Sequence, residues 1–203
     1  MKKYQMFKEE NKLKQLWNKY IIIREYKKLT NLNLIRRNRP GYFLPRTLRT
    51  HFWHTNVIKY CNRPFESVEQ MNDVLIINWN SVVGNDDIVF HLGDFCFCGS
   101  TKTREILEQL NGNIVLIKGN HDYNSTLKLF DEVYQQIHIN IEDKSIYLNH
   151  FPFASFPENS YQLFGHIHSS SGIYSKNQYD VGVDNNNYKP ISWDKIKEIN
   201  GWN

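Results

Sequence analysis

Cysteine is scarce in these 203 residues: only Cys61, Cys96 and Cys98 are present. The number is odd, and two of them stand two positions apart. This argues against the disulfide framework of a small secreted scaffold and fits a reducing cytoplasm. Long apolar runs are also missing. Nothing approaches the roughly 18 uninterrupted apolar residues of a transmembrane helix, so no membrane partner is expected. No apolar segment or small-residue cleavage site follows Met1-Lys2-Lys3, and no signal peptide is expected. There is no internal repeat and no low-complexity tract, only a polar cluster at residues 169–171 and an asparagine run at 185–187. Hydrophobic residues make up 40% of the chain and aromatics 14%, which excludes a wholly disordered protein. The length suits one domain with a short extension.

Charge is unevenly spread. Residues 1–50 hold 14 Lys/Arg against 3 Asp/Glu, a balance of +11, and residues 51–203 hold 11 against 18, a balance of −7. The chain therefore reads as a basic extension, residues 1–41, joined to a mildly acidic domain, residues 42–203. Within the extension, Leu13, Leu16, Trp17, Tyr20, Ile21 and Ile23 form an apolar stripe that predicts a helix over 8–29. Arg36-Arg37-Asn38-Arg39-Pro40-Gly41 reads as a basic linker with a turn. Two readings of the extension stand: contact with nucleic-acid phosphates, or a solvated amphipathic helix docked on the domain.

Beyond the extension, short apolar strands and helices alternate. Helices are predicted over 56–60, 67–83, 102–110, 125–130 and 192–199. Ser67 is the cap of the second, and Gln70 its capping-box partner. Strands are predicted over 88–90, 114–117, 161–164 and 179–184. A hairpin is expected from strands 133–141 and 145–148 around Glu142-Asp143-Lys144. Such a pattern implies a sheet core covered by helices. The side chains able to bind metal follow these strands. Asp94, Asn120, His121, Asp122, His166 and His168 each come just after one, and His150 ends another. Ligands at strand ends converge on one edge of a sheet. Mixed His, Asp and Asn donors suit divalent ions such as Mn, Fe, Zn or Ni, and a carboxylate such as Asp94 can bridge a pair of them.

Gly93-Asp94, Gly119-Asn120-His121-Asp122, Asn149-His150-Phe151-Pro152 and Gly165-His166-Ile167-His168, in that order, resemble the motifs of the calcineurin-like metallophosphoesterase family. Thr50-His51-Phe52-Trp53-His54-Thr55-Asn56 resembles its first motif. The tract from Val57 to Phe65 is similar to small bacterial and phage members. The resemblance covers about residues 42–200. It implies an α/β fold with a two-sheet β-sandwich core flanked by helices, in four αββα layers. It also implies hydrolysis of phosphate mono- or diesters, nucleotides or nucleic acids among them, by a hydroxide activated on two divalent ions. Asp94 would bridge the ions. Asn120, His150 and His166 would complete one shell, and His51 and His168 the other. His121 would meet the substrate phosphate as catalytic acid, with Asp122 orienting it. Asn120 and His121 would bind substrate, with His54 and Asn56 on the rim.

One position departs from the pattern. The family's first motif begins Asp-x-His, and an ungapped alignment puts Arg49 at the aspartate. Arginine has no acceptor atom and cannot ligate a metal, so the first ion's site is incomplete. Trp53 also stands where the family usually carries glycine. Three explanations stand. Arg49 replaces part of the first ion's charge; or the protein is a degenerate relative that binds phosphate or nucleic acid without hydrolysis; or residues 1–48 come from a wrongly placed start of the reading frame.

Overall fold

The run Ile88-Val89-Phe90 is apolar on both faces, and the fold uses both. In the computed structural model, which describes residues 46–168 and 171–202, these residues lie in the middle of a sheet with buried neighbours on either side. Val89 joins a core cluster with Leu48, Met71, Leu75, Trp79 and Leu116. Phe90 faces the other way, lining an apolar pocket with Ile146, Leu148 and Leu163 of a second sheet. A strand covered on two sides reads as continuous hydrophobicity rather than alternation.

The chain runs β1 (Arg46–Leu48), α1 (Thr55–Tyr60), α2 (Val68–Asn80), β2 (Ile88–His91), α3 (Ser100–Leu107), β3 (Asn113–Ile117), α4 (Asn124–Leu127), β4 (Glu132–Tyr134), β5 (Gln136–Ile141), β6 (Lys144–Asn149), β7 (Ser160–Phe164), β8 (Ile173–Ser175), β9 (Gln178–Asp180), β10 (Ile191–Ser192) and α5 (Trp193–Asn200). The first sheet has the order β10-β1-β2-β3-β4 and the second β5-β6-β7-β9-β8. β1 to β4 are mutually parallel, and so are β6, β7 and β9. The α/β fold with a two-sheet core flanked by helices is the one observed. The expected helix over 8–29 and the linker at 36–41 lie outside the described residues.

Local signals place the helices. Ser67 caps α2: its hydroxyl accepts from the Gln70 N–H at 3.1 Å, while the Gln70 amide oxygen accepts from the Glu66 N–H at 2.7 Å. The second bond reaches one residue before the cap, a small variation on the expected box. Val68, Met71, Asn72, Leu75 and Trp79 then form the buried face of α2 at helical spacing. The expected hairpin needs correction at its first strand. Residues 133–141 do not form one strand: β4 ends at Tyr134 beside β3, and β5 starts at Gln136 in the other sheet, beside β6. The chain crosses between sheets at Gln135. The last predicted strand is also shorter, ending at Asp180, with a 3-10 turn at Val183–Asn185.

Candidate metal centre

Parallel strands put their C-terminal ends on one edge, and every candidate ligand lies just beyond such an end. β1 leads to His51, β2 to Asp94, β3 to Asn120, β6 to His150, and β7 to His166 and His168. The backbone there is unusual. His51, Asp94, His166 and His168 have φ of 65°, 54°, 70° and 49°, in the left-handed region. Side chains other than glycine adopt it at a cost of roughly 1–2 kcal/mol each. Four of the eleven non-glycine residues with positive φ among the described residues stand at this edge, where the chain turns sharply after a strand.

Asp94 is the centre of the group. It is buried, and its Oδ2 lies 3.5 Å from His51 Nε2 and 3.4 Å from His150 Nε2. Its Oδ1 accepts from the His121 N–H at 3.0 Å. Burial would raise its pKa, but the bond and charge of His150 and the His121 N–H outweigh that and hold it below the usual range. Two glycines permit the arrangement. A Cβ on Gly93 would stand 2.5 Å from His150 Nδ1, and one on Gly119 only 2.4 Å from Asp94 Oδ1.

Asp122 differs from expectation. Its Oδ2 accepts from the N–H groups of Asp94 at 2.8 Å and Gly119 at 2.7 Å, and its Oδ1 from Phe95 at 2.9 Å. Both oxygens are thus spent on backbone amides, and its hydrogen bonds run to these three amides rather than to the His121 ring. It clamps the turn that presents Asp94. Burial pushes its pKa up against the pull of those three donors.

The tautomer of His150 is set by geometry. Its Nδ1 lies 2.7 Å from the Leu92 carbonyl, which can only accept, so Nδ1 carries a proton. The other nitrogen, Nε2, faces Asn120 Oδ1 at 2.9 Å and Asp94 Oδ2. His166 completes the cluster: one ligand atom each from Asp94, His150 and His166 lies within 4.8 Å of the others. With His150 neutral, three acceptor atoms, from a carboxylate, an imidazole and an amide, converge among the described residues. A cation resolves that conflict, and these donors suit a divalent one. Burial, then the charge of His150, holds His166 below its ordinary pKa.

The second expected group is looser. His51 and His168 meet edge to face at 4.9 Å between ring centres. Burial first, then Arg49, depress the pKa of His51 strongly, and its buried Nδ1 has no hydrogen-bond partner among the described residues. His168 Nδ1 is already engaged, 3.2 Å from Asp184 Oδ2 and 3.0 Å from Cys61 Sγ. Arg63 grips Asp184 with two bonds, Nε to Oδ1 at 2.7 Å and Nη2 to Oδ2 at 3.0 Å. Cys61, Arg63 and Asp184 were not among the residues expected at the site. The only hint of Asp184 in the sequence is its place at the end of an expected strand.

On the open side, His54 stacks on Phe97 at 3.9 Å, and His121, itself exposed, lies 4.9 Å from the same ring. Phe97 sits between two cysteines whose state also corrects the sequence reading. Cys96 and Cys98 form a disulfide, their Cα atoms 5.5 Å apart and within ordinary bridging distance. The turn at Phe97 brings together two thiols that proximity in sequence argued against.

The calcineurin-like phosphoesterase family model matches residues 50–200, about three-quarters of the chain and every candidate ligand from His51 to His168. The chain belongs to this family. An uncharacterised protein of Methanocaldococcus jannaschii is 42% identical over 160 residues, covering 74% of this chain and 86% of that protein. The crystal structure of a protein of unknown function from Aquifex aeolicus is similar with a TM-score of 0.62 at 26% identity, covering 77% of this chain and 98% of that one. Calcineurin-like phosphoesterases depend on divalent metals, and the described residues of this member hold two groups of ligand type, Asp94-His150-His166 and Cys61-His168-Asp184.

Proposed function

We propose that this protein hydrolyses phosphate mono- or diesters, a class that includes nucleotides and nucleic acids, at a metal centre held by Asp94, Asn120, His150 and His166. The observation that carries the reading is the convergence of His150 Nε2, Asn120 Oδ1 and Asp94 Oδ2, with His166 beside them. When bound, a divalent ion supplies positive charge toward phosphoryl oxygens and makes water more acidic.

The rest is done by the chain. The Asp122 clamp and the Gly93–Gly119 contact hold the Asp94 carboxylate in place before substrate arrives. The Leu92 carbonyl fixes the His150 tautomer, so its lone pair points into the site. His121, anchored through its N–H to Asp94, presents an exposed imidazole. It is placed to donate a proton to the leaving-group oxygen. His54 and Phe97 form a wall beside it that can meet the ester's organic part. His51 and His168 form the incomplete side of the site.

Among the described residues no helix is long and apolar enough to cross a membrane.

The test is hydrolysis of bis(p-nitrophenyl) phosphate and p-nitrophenyl phosphate with added Mn²⁺. His121→Ala should lower kcat by roughly 10²–10⁴, the usual contribution of a positioned acid, with the Mn²⁺ requirement unchanged. Absence of turnover with Mn²⁺, Zn²⁺, Ni²⁺ or Fe²⁺ favours the competing reading, a relative that binds phosphate without cleaving it.

A further inference from the structure

Arg49 continues β1 through a bridge to Gly182, and its side chain is wholly buried. None of its three guanidinium nitrogens has a hydrogen-bond partner among the described residues. The chain makes room for it. A Cβ on Gly165 would stand 2.8 Å from Arg49 Cδ, and one on Gly182 would stand 3.3 Å from Nη2. A guanidinium stays charged at any ordinary pH, and burying one without hydrogen bonds is costly. The surroundings explain why it is tolerated. Asp180, Asp184 and Asp94 act on it, in that order, against the effect of burial. The same positive charge bears on His51 and on His166.

A cation between His51, Asp94 and His168 would therefore find a buried guanidinium, and no carboxylate, at the position two residues before His51. Asp184, the carboxylate next to His168, is occupied by Arg63 and by His168 itself. The side held by Asp94, Asn120, His150 and His166 keeps its ligand-type groups together, with those of Asp94, His150 and His166 within 4.8 Å of one another.

We propose that Arg49 takes the place of one of two cations: the centre binds a single divalent ion, on Asp94, Asn120, His150 and His166, and the buried guanidinium supplies the positive charge on the His51 and His168 side. The inference rests on the metal-centre reading above. It assigns Arg49 an electrostatic task that a purely structural core residue would not have.

The test is calorimetric titration of the chelator-treated, full-length protein with Mn²⁺, followed by metal analysis of the dialysed complex. Wild type should take up one equivalent. Arg49→Asp, which removes the cation and adds a carboxylate, should take up two. Arg49→Met removes the cation without adding a ligand, and should show a second equivalent weaker than the first. Circular dichroism reports whether each variant is folded, and Arg49→Met carries the comparison if Arg49→Asp is not. Two equivalents in wild type, or a single equivalent in both folded variants, overturns the proposal and leaves the metal centre standing. No uptake by wild type removes the metal centre itself.

Discussion

Replacing Asp122 with alanine removes three hydrogen bonds at once. The carboxylate accepts from the backbone N–H groups of Asp94, Phe95 and Gly119 at 2.7–2.9 Å, and all of this is buried. A bond to a charged acceptor contributes about 1.5–3 kcal/mol net, and each buried donor left alone costs about 1–3 kcal/mol. Relief of the buried carboxylate's own desolvation offsets part of the sum. A net loss of roughly 3–5 kcal/mol is expected. For a domain of this size that is about 6–20 °C in Tm. Asp122→Asn keeps the shape but turns an amide NH₂ toward one backbone N–H, and should cost about 2 kcal/mol. The clamp also sets the left-handed turn at Asp94, so Mn²⁺ affinity should fall along with stability in both variants. Thermal melts with and without Mn²⁺, and calorimetric titration of the folded fraction, measure the two effects. A Tm within about 2 °C of wild type in Asp122→Ala, with unchanged Mn²⁺ affinity, would refute the clamp. It would also return Asp122 to the expected role of orienting His121.

Gly119→Ala places a Cβ 2.4 Å from Asp94 Oδ1, so the carboxylate must move. A stability loss of about 1–3 kcal/mol and weaker Mn²⁺ binding are expected from melts and titration, and a neutral result would contradict the close approach. His91 is buried, with Nε2 2.9 Å from Thr50 Oγ1, and burial pushes its pKa down to about 3. Its folded pKa lies below the unfolded value of about 6.5, so its contribution is complete above pH 6.5 and is lost as pH falls toward 3. At pH 5.5 the loss is about 1.4 kcal/mol. Urea unfolding at pH 7.5 and pH 5.5 should show His91→Gln losing that much less than wild type between the two; equal pH dependence in the two proteins would contradict it.

The strand ends carrying Asp94, Asn120 and His166 were legible because each follows a short apolar run buried on both faces, and such runs stand out against polar loops. Helix α2 was legible through its cap and its buried stripe. The crossing at Gln135 was not, because passing from one sheet to the other needs only a bend, without the glycine or proline that marks a turn. β8 and β10, with three residues and two, are too short to show a period. The Arg63–Asp184 pair joins residues 121 positions apart and leaves no local trace. Asp122 shows the deeper limit. Residue type and spacing announce a carboxylate beside His121, but only backbone geometry decides whether it meets a ring or three amides. Arg49 was legible as a departure; that it is buried with no hydrogen-bond partner among the described residues was not.

The most direct test of the account is the rate of bis(p-nitrophenyl) phosphate hydrolysis as a function of Mn²⁺, in chelator-treated wild type and in His150→Ala. His150 offers the lone pair that the Leu92 carbonyl points into the site. Wild type should be inactive without metal and recover as Mn²⁺ is added. His150→Ala should need on the order of 100-fold more Mn²⁺, or fail to recover. Turnover without metal, or a His150→Ala curve that overlies the wild type, would contradict the account.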